Sequence, residues 1–430
     1  MMKIYPYDAL SPEKLLIRSV DKCGVTEAVR AILRDVEARG DEALWEYTRR
    51  FDSSEVTALE VTKEEIDAAA DSLDPAFLAV LETAAANIRA FHAREKEQLR
   101  GFRMDLGDGS YLGLKVTPME KVGLCVPGRD AAYPSTVLMT AIPARLAGCG
   151  ELVMVSPPGP DGRQPAAILA AAKIAGVDRI FRLGGAQGVA ALAFGTRSVP
   201  KVDKIVGPGS AYVAEAKRQV YGRVDIDMIA GPSEILVVAD GGSDAVCVAA
   251  DLLSQAEHDV LSTAVLITDS LALAEAVQSE VERQLALLPR ESIARASIEN
   301  NGKIIVTEDL VEAVEAANAL APEHLEICVD DPAPYLERVR HAGSVFLGRH
   351  CPEALGDYLA GPNHTLPTGG AARFSSPLGV WDFVKRTQYS CYTPAALEKV
   401  SGSIARFARQ EGLEGHARSV LVRFDREVIA

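Results

Sequence analysis

Four short polar clusters hold the residue types that acid–base or metal chemistry needs. The first, Leu253 to Asp259 ("LSQAEHD"), closes the apolar run "DAVCVAADL". On a helix, Gln255 and His258 stand three apart and share a face, so two ligands could converge on a metal ion. Glu257 points elsewhere, yet an amide oxygen is an unusual zinc ligand, and by residue type alone Glu257 competes with Gln255. The plainer reading is a charged helix end. The second cluster, Glu323-His324, precedes the apolar run "LEICV". Histidine titrates near neutrality and suits proton transfer, and a neighbouring carboxylate suits activation of water. Neighbouring side chains diverge in extended backbone, so both reach one substrate only if the chain bends at Pro322. Ligands of α/β sheets also favour the opposite strand end, which leaves a helix-terminal salt bridge as the rival reading.

The third cluster lies between Glu353 and Ser376, a stretch with four glycines, two prolines and no hydrophobic period. Asp357 opens it and Asn363-His364 occupies its middle. Long loops inside compact domains are uncommon and are usually functional, against an Asx turn and a surface histidine as the bland alternative. The fourth offers Glu411 and His416 in "EGLEGHA", beside a glycine-marked helix boundary that capping alone would explain. Of the remaining histidines, His92 and His341 read as surface or edge residues, and His350 follows a strand.

The elements that must position these groups change character along the chain. Residues before about 120 carry apolar positions at helical spacing, as in "GVTEAVRAILRDVEARGDEALWEYTRRFD". From there, short β-branched runs ("KVGLCVP", "ELVMVSP", "RIFRLG", "KIVGPG") alternate with Ala-rich helical stretches. A second series follows ("EILVVAD", "TAVLITD", "KIIVTED", "LEICVDD", "SVFLGR"). This alternation specifies βαβ units around parallel sheets, hence two α/β domains, with duplication as a possible relation between them. From about residue 378 the texture is again mostly helical. No phosphate-binding fingerprint of either common kind is present. Gly184-Gly185-Ala186-Gln187-Gly188, between a strand and a helix, could expose backbone N–H groups to phosphate, although a plain tight turn is the commoner case.

Bulk properties narrow the function. With 60 acidic against 45 basic residues, the net charge of −15 repels phosphate backbones, so no nucleic-acid partner is expected. No window approaches the roughly 20 apolar residues of a membrane span, and the start shows no basic segment leading into an apolar one. The seven cysteines are scattered and never spaced as CxxC. That argues against disulfide or thiolate-zinc frameworks and for a cytoplasmic protein with reduced thiols.

Taken together, "VPKVDKIVGPGSAYVAEAKRQVYGRVDIDMIAGPSEILVVAD", "LLSQAEHD", "APEHLEI", "GDYLAGPNHTLPTGGAARFSSPL" and "EGLEGHA" resemble the histidinol dehydrogenase family. The likeness runs in order from about residue 25 to the C-terminus. It implies a zinc-dependent, NAD-linked oxidation of L-histidinol to L-histidine through the aldehyde, the last steps of histidine biosynthesis. It further implies Gln255, His258, Asp357 and His416 as ligands of one zinc ion. Glu323 and His324 become the acid–base pair, and Ser233, His364 and Glu411 join the ligands around the substrate. Glu411 and His416 would come from a partner subunit, making the protein a homodimer. Cys125, Gln187 and Ser210 match NAD contacts. At two of these the family usually has Tyr and Asn instead of Cys125 and Ser210, and Arg129 replaces the more usual Gly, which leads us to expect weaker NAD binding.

The corresponding fold is two Rossmann-like α/β domains with parallel-rich sheets plus small N- and C-terminal helical segments. Residues 1–25 would form an arm, 26–120 with 231–377 a discontinuous first domain, 121–230 the second, and 378–430 a small C-terminal domain completing the partner's site. Two other readings compete: a related zinc/NAD dehydrogenase of another small polar alcohol, and a zinc hydrolase that uses Glu323 to activate water.

Overall fold

The computed structural model describes residues 1–9, 23–128 and 132–425; Arg129 lies outside them. The chain forms two compact units, one of Met1–Lys96 and Met119–Phe383, the other of Glu97–Pro118 and Val384–Ala430.

The first unit contains both parallel sheets. In the five-stranded sheet, Lys121–Cys125, Glu151–Ser156, Arg179–Arg182, Lys204–Val206 and Asp225–Ile226 are strands one to five by sequence, and they lie in the spatial order 3-2-1-4-5. Every pairing is parallel. The two-residue period of a strand sends Val122, Leu124, Leu152 and Met154 to one face. There they meet the helices Lys63–Ser72, Pro75–Glu97, Pro134–Ala147 and Ala166–Ala175. Cys125, Val153, Val155 and Phe181 go to the other face, with Cys23–Arg39, Asp41–Tyr47, Gly185–Phe194 and Ala211–Val220. Burial on both faces explains why these strands read as continuous apolar runs.

The six-stranded sheet repeats this order. Glu234–Ala239, Thr263–Thr268, Lys303–Val306, His324–Cys328 and Ser344–Leu347 lie as 3-2-1-4-5, and Lys3–Pro6 adds a parallel edge strand beside Lys303–Val306. Ile235 and Val237 face the helices Ala245–Ala256, Leu271–Leu285 and Glu291–Asn301. Leu236 and Val238 face Leu310–Leu320. Each fully buried Val, Leu or Ile contributes roughly 1.5–3 kcal/mol. Helix starts are fixed locally: Asp244 accepts from the Val246 N–H, and Asp309 from that of Glu312.

The second unit pairs Tyr111–Pro118 antiparallel with both Val384–Cys391 and Phe102–Asp105. It continues into the helices Pro394–Gln410 and Glu414–Leu421.

Two expectations of organisation are corrected. The helices between 26 and 97 bury their apolar stripes on the two faces of the five-stranded sheet, and their link to residues 231–377 includes the Asn87 amide donating to the Leu359 carbonyl at 2.8 Å. Residues 97–118 join the C-terminal segment through a strand, Val384–Cys391, that the expected helical texture does not contain. The arm likewise supplies an edge strand. Among the described residues no helix is long and apolar enough to cross a membrane.

Candidate active site

Glu323 and His324, the expected acid–base pair, stand at the amino edge of the six-stranded sheet. His324 is the first residue of its strand and registers with Ile235 on one side and Ser344 on the other. Ser233 and Glu323 immediately precede neighbouring strands. The required bend comes from Ala321, the one non-glycine residue with positive φ among those described (φ 48°, ψ 63°). It ends the preceding helix in the left-handed region, a conformation that costs a non-glycine residue of order 1 kcal/mol and recurs at functional sites. Pro322 then forbids helical continuation.

The bend turns both side chains inward. Glu323 accepts from the Glu234 N–H at 2.9 Å, and His324 Nδ1 lies 2.9 Å from the Glu234 carbonyl oxygen. A carbonyl only accepts, so Nδ1 carries the proton and Nε2 is the basic nitrogen. Nε2 is buried without a hydrogen-bond partner. It lies 3.9 Å from a carboxylate oxygen of Glu353 and 3.9 Å from one of Asp357. Burial lowers the His324 pKa and raises that of Glu323 well above the carboxylate range.

The helix Ala245–Ala256 returns from the far edge and ends here, so Gln255 sits in its last turn. His258 lies just beyond the helix, and its N–H donates to the Gln255 carbonyl at 3.2 Å. The i, i+3 relation therefore survives as a turn. Gln255 is buried and its Oε1 has no hydrogen-bond partner. Burial lowers the His258 pKa, against the pull of Glu353. Asp357 does not open a loop; it lies in the short helix Glu353–Tyr358. Burial, reinforced by Glu353, pushes its carboxyl up to about 9. His364 follows in the loop. Its Nδ1 lies 3.1 Å from the Asp357 carbonyl oxygen and its Nε2 3.4 Å from the Thr136 hydroxyl, and burial lowers its pKa to about 4.

Sequence reasoning missed Glu353, which is 2% exposed and stands one helical turn before Asp357. Its Oε2 accepts from the Ser254 hydroxyl at 3.1 Å, its Oε1 is buried without a hydrogen-bond partner, and its own N–H donates to Glu326 at 2.7 Å. The i, i+4 spacing of two acids in "PEALGDY" was the available signal. His324, Glu353 and Asp357 bring one ligand atom each within 4.8 Å of one another. Among the described residues, the ion-pair partners of Glu323, Glu353 and Asp357 are histidines only. So many buried carboxyls without Lys or Arg, beside orphaned Gln255 and His324 atoms, fit a bound cation.

The other expected residues fall elsewhere. Glu411 caps the C-terminal end of Pro394–Gln410 and His416 lies in Glu414–Leu421; both are exposed members of the second unit. At the carboxyl edge of the five-stranded sheet, Ser210 is the exposed N-cap of Ala211–Val220 and its side chain makes no capping bond. Cys125 is 4% exposed within the apolar cluster, and burial pushes its thiol up to about 12. Gln187 is 2% exposed, with its amide donating to Asp52 at 3.1 Å. Asp52 also accepts from the Gly184 N–H, so this glycine turn already holds an internal carboxylate. Ser210 fits a cofactor contact; the side chains of Cys125 and Gln187 are turned inward. His92, expected at the surface, is fully buried, with Nδ1 2.7 Å from Glu95.

Two doubly wound parallel sheets, with a buried imidazole and carboxyls converging beside unsatisfied ligand atoms, define an α/β enzyme built for proton transfer at a polar centre. Residues 17–424 match the family model described as histidinol dehydrogenase. Curated histidinol dehydrogenases include those of Syntrophotalea carbinolica, 55% identical over 93% of both chains, and Geobacillus kaustophilus, 53% identical over 95% of this chain and 97% of the relative. The crystal structure of histidinol dehydrogenase from Elizabethkingia anophelis superposes with a TM-score of 0.91 at 36% identity, covering 99% of this chain and 98% of that one. The chain belongs to the histidinol dehydrogenase family, a family of oxidoreductases.

Proposed function

We propose that the chain oxidises L-histidinol to L-histidine in two NAD⁺-linked steps through L-histidinaldehyde, with one zinc ion per subunit. The observation that supports this reading is the convergence of His324 with Glu323, Glu353 and Asp357 at one sheet edge, in a chain of this family. Gln255, His258 and Asp357 would hold zinc, with His416 of the partner subunit as the fourth ligand; Glu411 would likewise reach the substrate from the partner, making the working form a homodimer. Bound zinc would anchor the substrate's nitrogens, and NAD⁺ would accept the hydrides.

The chain's own groups do the proton work. His324 Nδ1 is committed to the Glu234 carbonyl, so Nε2 receives the alcohol proton, and its lowered pKa keeps it unprotonated beforehand. Glu323 activates the water that hydrates the aldehyde; burial makes its ionised form a stronger base than an exposed carboxylate. His324 then serves as base again. His364, fixed between the Asp357 carbonyl and Thr136, and Ser233 position the substrate. The dinucleotide belongs at the carboxyl edge of the five-stranded sheet, where strands one and four diverge beside Ser210. Free thiols at the six described cysteines accord with a cytoplasmic setting.

The test is the NADH formed per L-histidinol consumed by the zinc-loaded protein. A ratio of two that chelation abolishes is expected. A ratio of one would show the aldehyde escaping and implicate Glu323, and no NADH from folded, zinc-loaded protein would assign another alcohol as substrate.

A further inference from the structure

We propose that Pro143 and Asn363 together form a positioning device for His364: the proline leaves the Met139 carbonyl without its helical donor, the Asn363 amide docks on that carbonyl, and the neighbouring imidazole is thereby set against Thr136. The inference rests on the reading of His364 as a substrate contact, and it gives a role to two residues outside the expected ligands, acid and base.

An α-helix closes each turn with the N–H four residues further on. Pro143 stands inside the helix Pro134–Ala147 and has no N–H, so the turn that starts from the Met139 carbonyl lacks its donor. Met139 is wholly buried, and a buried backbone acceptor must find a partner elsewhere. Asn363 supplies it from far along the chain: its Nδ2 donates to the Met139 oxygen at 2.7 Å. The other end of the same amide, Oδ1, accepts from the Thr365 N–H at 2.9 Å. A carbonyl only accepts and an N–H only donates, so these two partners fix one orientation of the amide.

The two bonds bracket His364. Asn363 is pinned to the helix and Thr365 to Asn363, so the backbone on both sides of the imidazole is held. Thr136 and Met139 are three apart and share a helix face. Consecutive loop residues therefore meet neighbouring turns of one helix, Asn363 at the Met139 carbonyl and His364 Nε2 at the Thr136 hydroxyl, 3.4 Å away. The same loop is tied at its start, where Asn87 donates to the Leu359 carbonyl at 2.8 Å, and again where the Leu378 N–H donates to the Thr365 carbonyl at 3.0 Å. The ring is thus seated on two supports: the Asp357 carbonyl of the short helix, 3.1 Å from Nδ1, and the helix that follows strand one of the five-stranded sheet. Only the second support depends on Pro143 and Asn363.

The experiment is a pair of double-mutant cycles on the full-length protein. The first reads L-histidinol affinity by calorimetry on the zinc-loaded protein without NAD⁺, with KM and kcat measured alongside. Asn363→Leu keeps the volume and removes both bonds. It is expected to weaken L-histidinol about tenfold, the weight of one misplaced hydrogen bond, and to raise KM while kcat holds within about threefold. His364→Ala should weaken binding similarly. In the His364→Ala background Asn363→Leu should change affinity by about twofold or less, because the group it positions is gone. Equal weakening in both backgrounds would overturn the proposal, since a general loss of structure needs no His364. If His364→Ala leaves affinity unchanged, the reading of His364 as a substrate contact fails and the inference with it. The second cycle needs neither zinc nor substrate and reads the urea midpoint of the metal-free protein. Asn363→Leu should lower it, because the Met139 carbonyl is left buried and unpaired. Pro143→Ala restores a backbone N–H at position 143, so in that background Asn363→Leu should lower the midpoint less. An undiminished drop would mean that the proline does not create the docking point, and would overturn the proposal. If Asn363→Leu does not fold, both cycles are run with Asn363→Ala, which lets water reach the two freed groups; smaller effects of the same sign are expected, and additivity in either cycle would overturn the proposal.

Discussion

The two parallel sheets share one strand order, 3-2-1-4-5, yet they arrange their polar groups differently at the two edges. In the five-stranded sheet the carboxyl edge between strands one and four holds a tight turn at Gly207. Lys217 and Asp227, an ion pair almost wholly buried, grip both sides of Gly207 there: Lys217 Nζ donates to its carbonyl at 2.9 Å and Asp227 accepts from its N–H at 2.7 Å. Gly207 has φ of 107°, and a Cβ would stand 2.2 Å from the Cys125 carbonyl oxygen, so only glycine permits this turn. In the six-stranded sheet the same position is filled by Arg349. Its guanidinium bonds Asp240 at 2.9 Å, Asp330 at 2.6 Å and the Ser243 hydroxyl at 2.6 Å, and the buried cluster of His324, Glu353 and Asp357 forms at the amino edge of the same strands. Topology proposes where a ligand binds; the residues at each edge decide.

The largest predicted effect tests the amino edge as the site of chemistry. His324→Gln should lower kcat about 10²–10⁴-fold, the usual weight of a general base. It should lower the urea midpoint only modestly, because Nε2 has no partner to lose and the change removes only the Nδ1 bond to the Glu234 carbonyl. A midpoint that falls while kcat holds would make His324 structural. The carboxyl edge of the five-stranded sheet should behave oppositely. Lys217→Met leaves Asp227 buried without its cation and is expected to destabilise by about 3–5 kcal/mol, seen as a lower urea midpoint, with zinc affinity unchanged. Little loss of stability would mean that the pair is not what secures the Gly207 turn.

Arg349 gives the sharpest test of why the edges differ. Arg349→Met removes charge-assisted hydrogen bonds that are partly open to solvent and should cost about 1.5–3 kcal/mol. The KM for NAD⁺ should stay unchanged, whereas replacement of Ser210 by a bulky side chain raises it. A KM that rises equally in the Arg349 variant would place cofactor at both carboxyl edges and end the contrast.

What could be read from the sequence follows how locally each feature is encoded. All nine strands of the two apolar series were legible, because strands covered on both faces are continuous apolar runs. Val384–Cys391 was not: seven of its eight residues are exposed, so it has no apolar period, and only its partner Tyr111–Pro118 makes it a strand. His92 looked exposed among charges, but Glu95 three residues on supplies its polar partner and lets the ring be buried. Within the candidate site the clusters around Gln255, Glu323 and Asp357 announced themselves by residue type. Ala321 and Thr136 did not, since a positive φ and a contact made across the fold leave no mark on residue type, and Glu353 showed only as an acid one helical turn before Asp357. The placing of Glu323 and His324 at a strand's start counted against them only under a rule about topology.

The smallest predicted effect concerns Cys125, which sequence alone made the suspect for weak cofactor binding. Its strand ends at the five-stranded carboxyl edge, but the two-residue alternation turns its thiol into the cluster with Val153, Val155 and Phe181. Burial pushes that thiol up to about 12, so at pH 8 almost none is thiolate, and the thiolate is the reactive form. An alkylating reagent should therefore modify the exposed Cys247 and Cys391 and spare Cys125 until the protein unfolds, as peptide mass mapping would report. Cys125→Ala should leave the KM for NAD⁺ unchanged, because the side chain it removes points away from the edge. Protection of Cys125 by NAD⁺ from a reagent that otherwise reaches it would reverse this, returning that side chain to the cofactor site and narrowing the difference between the two sheets to Arg349.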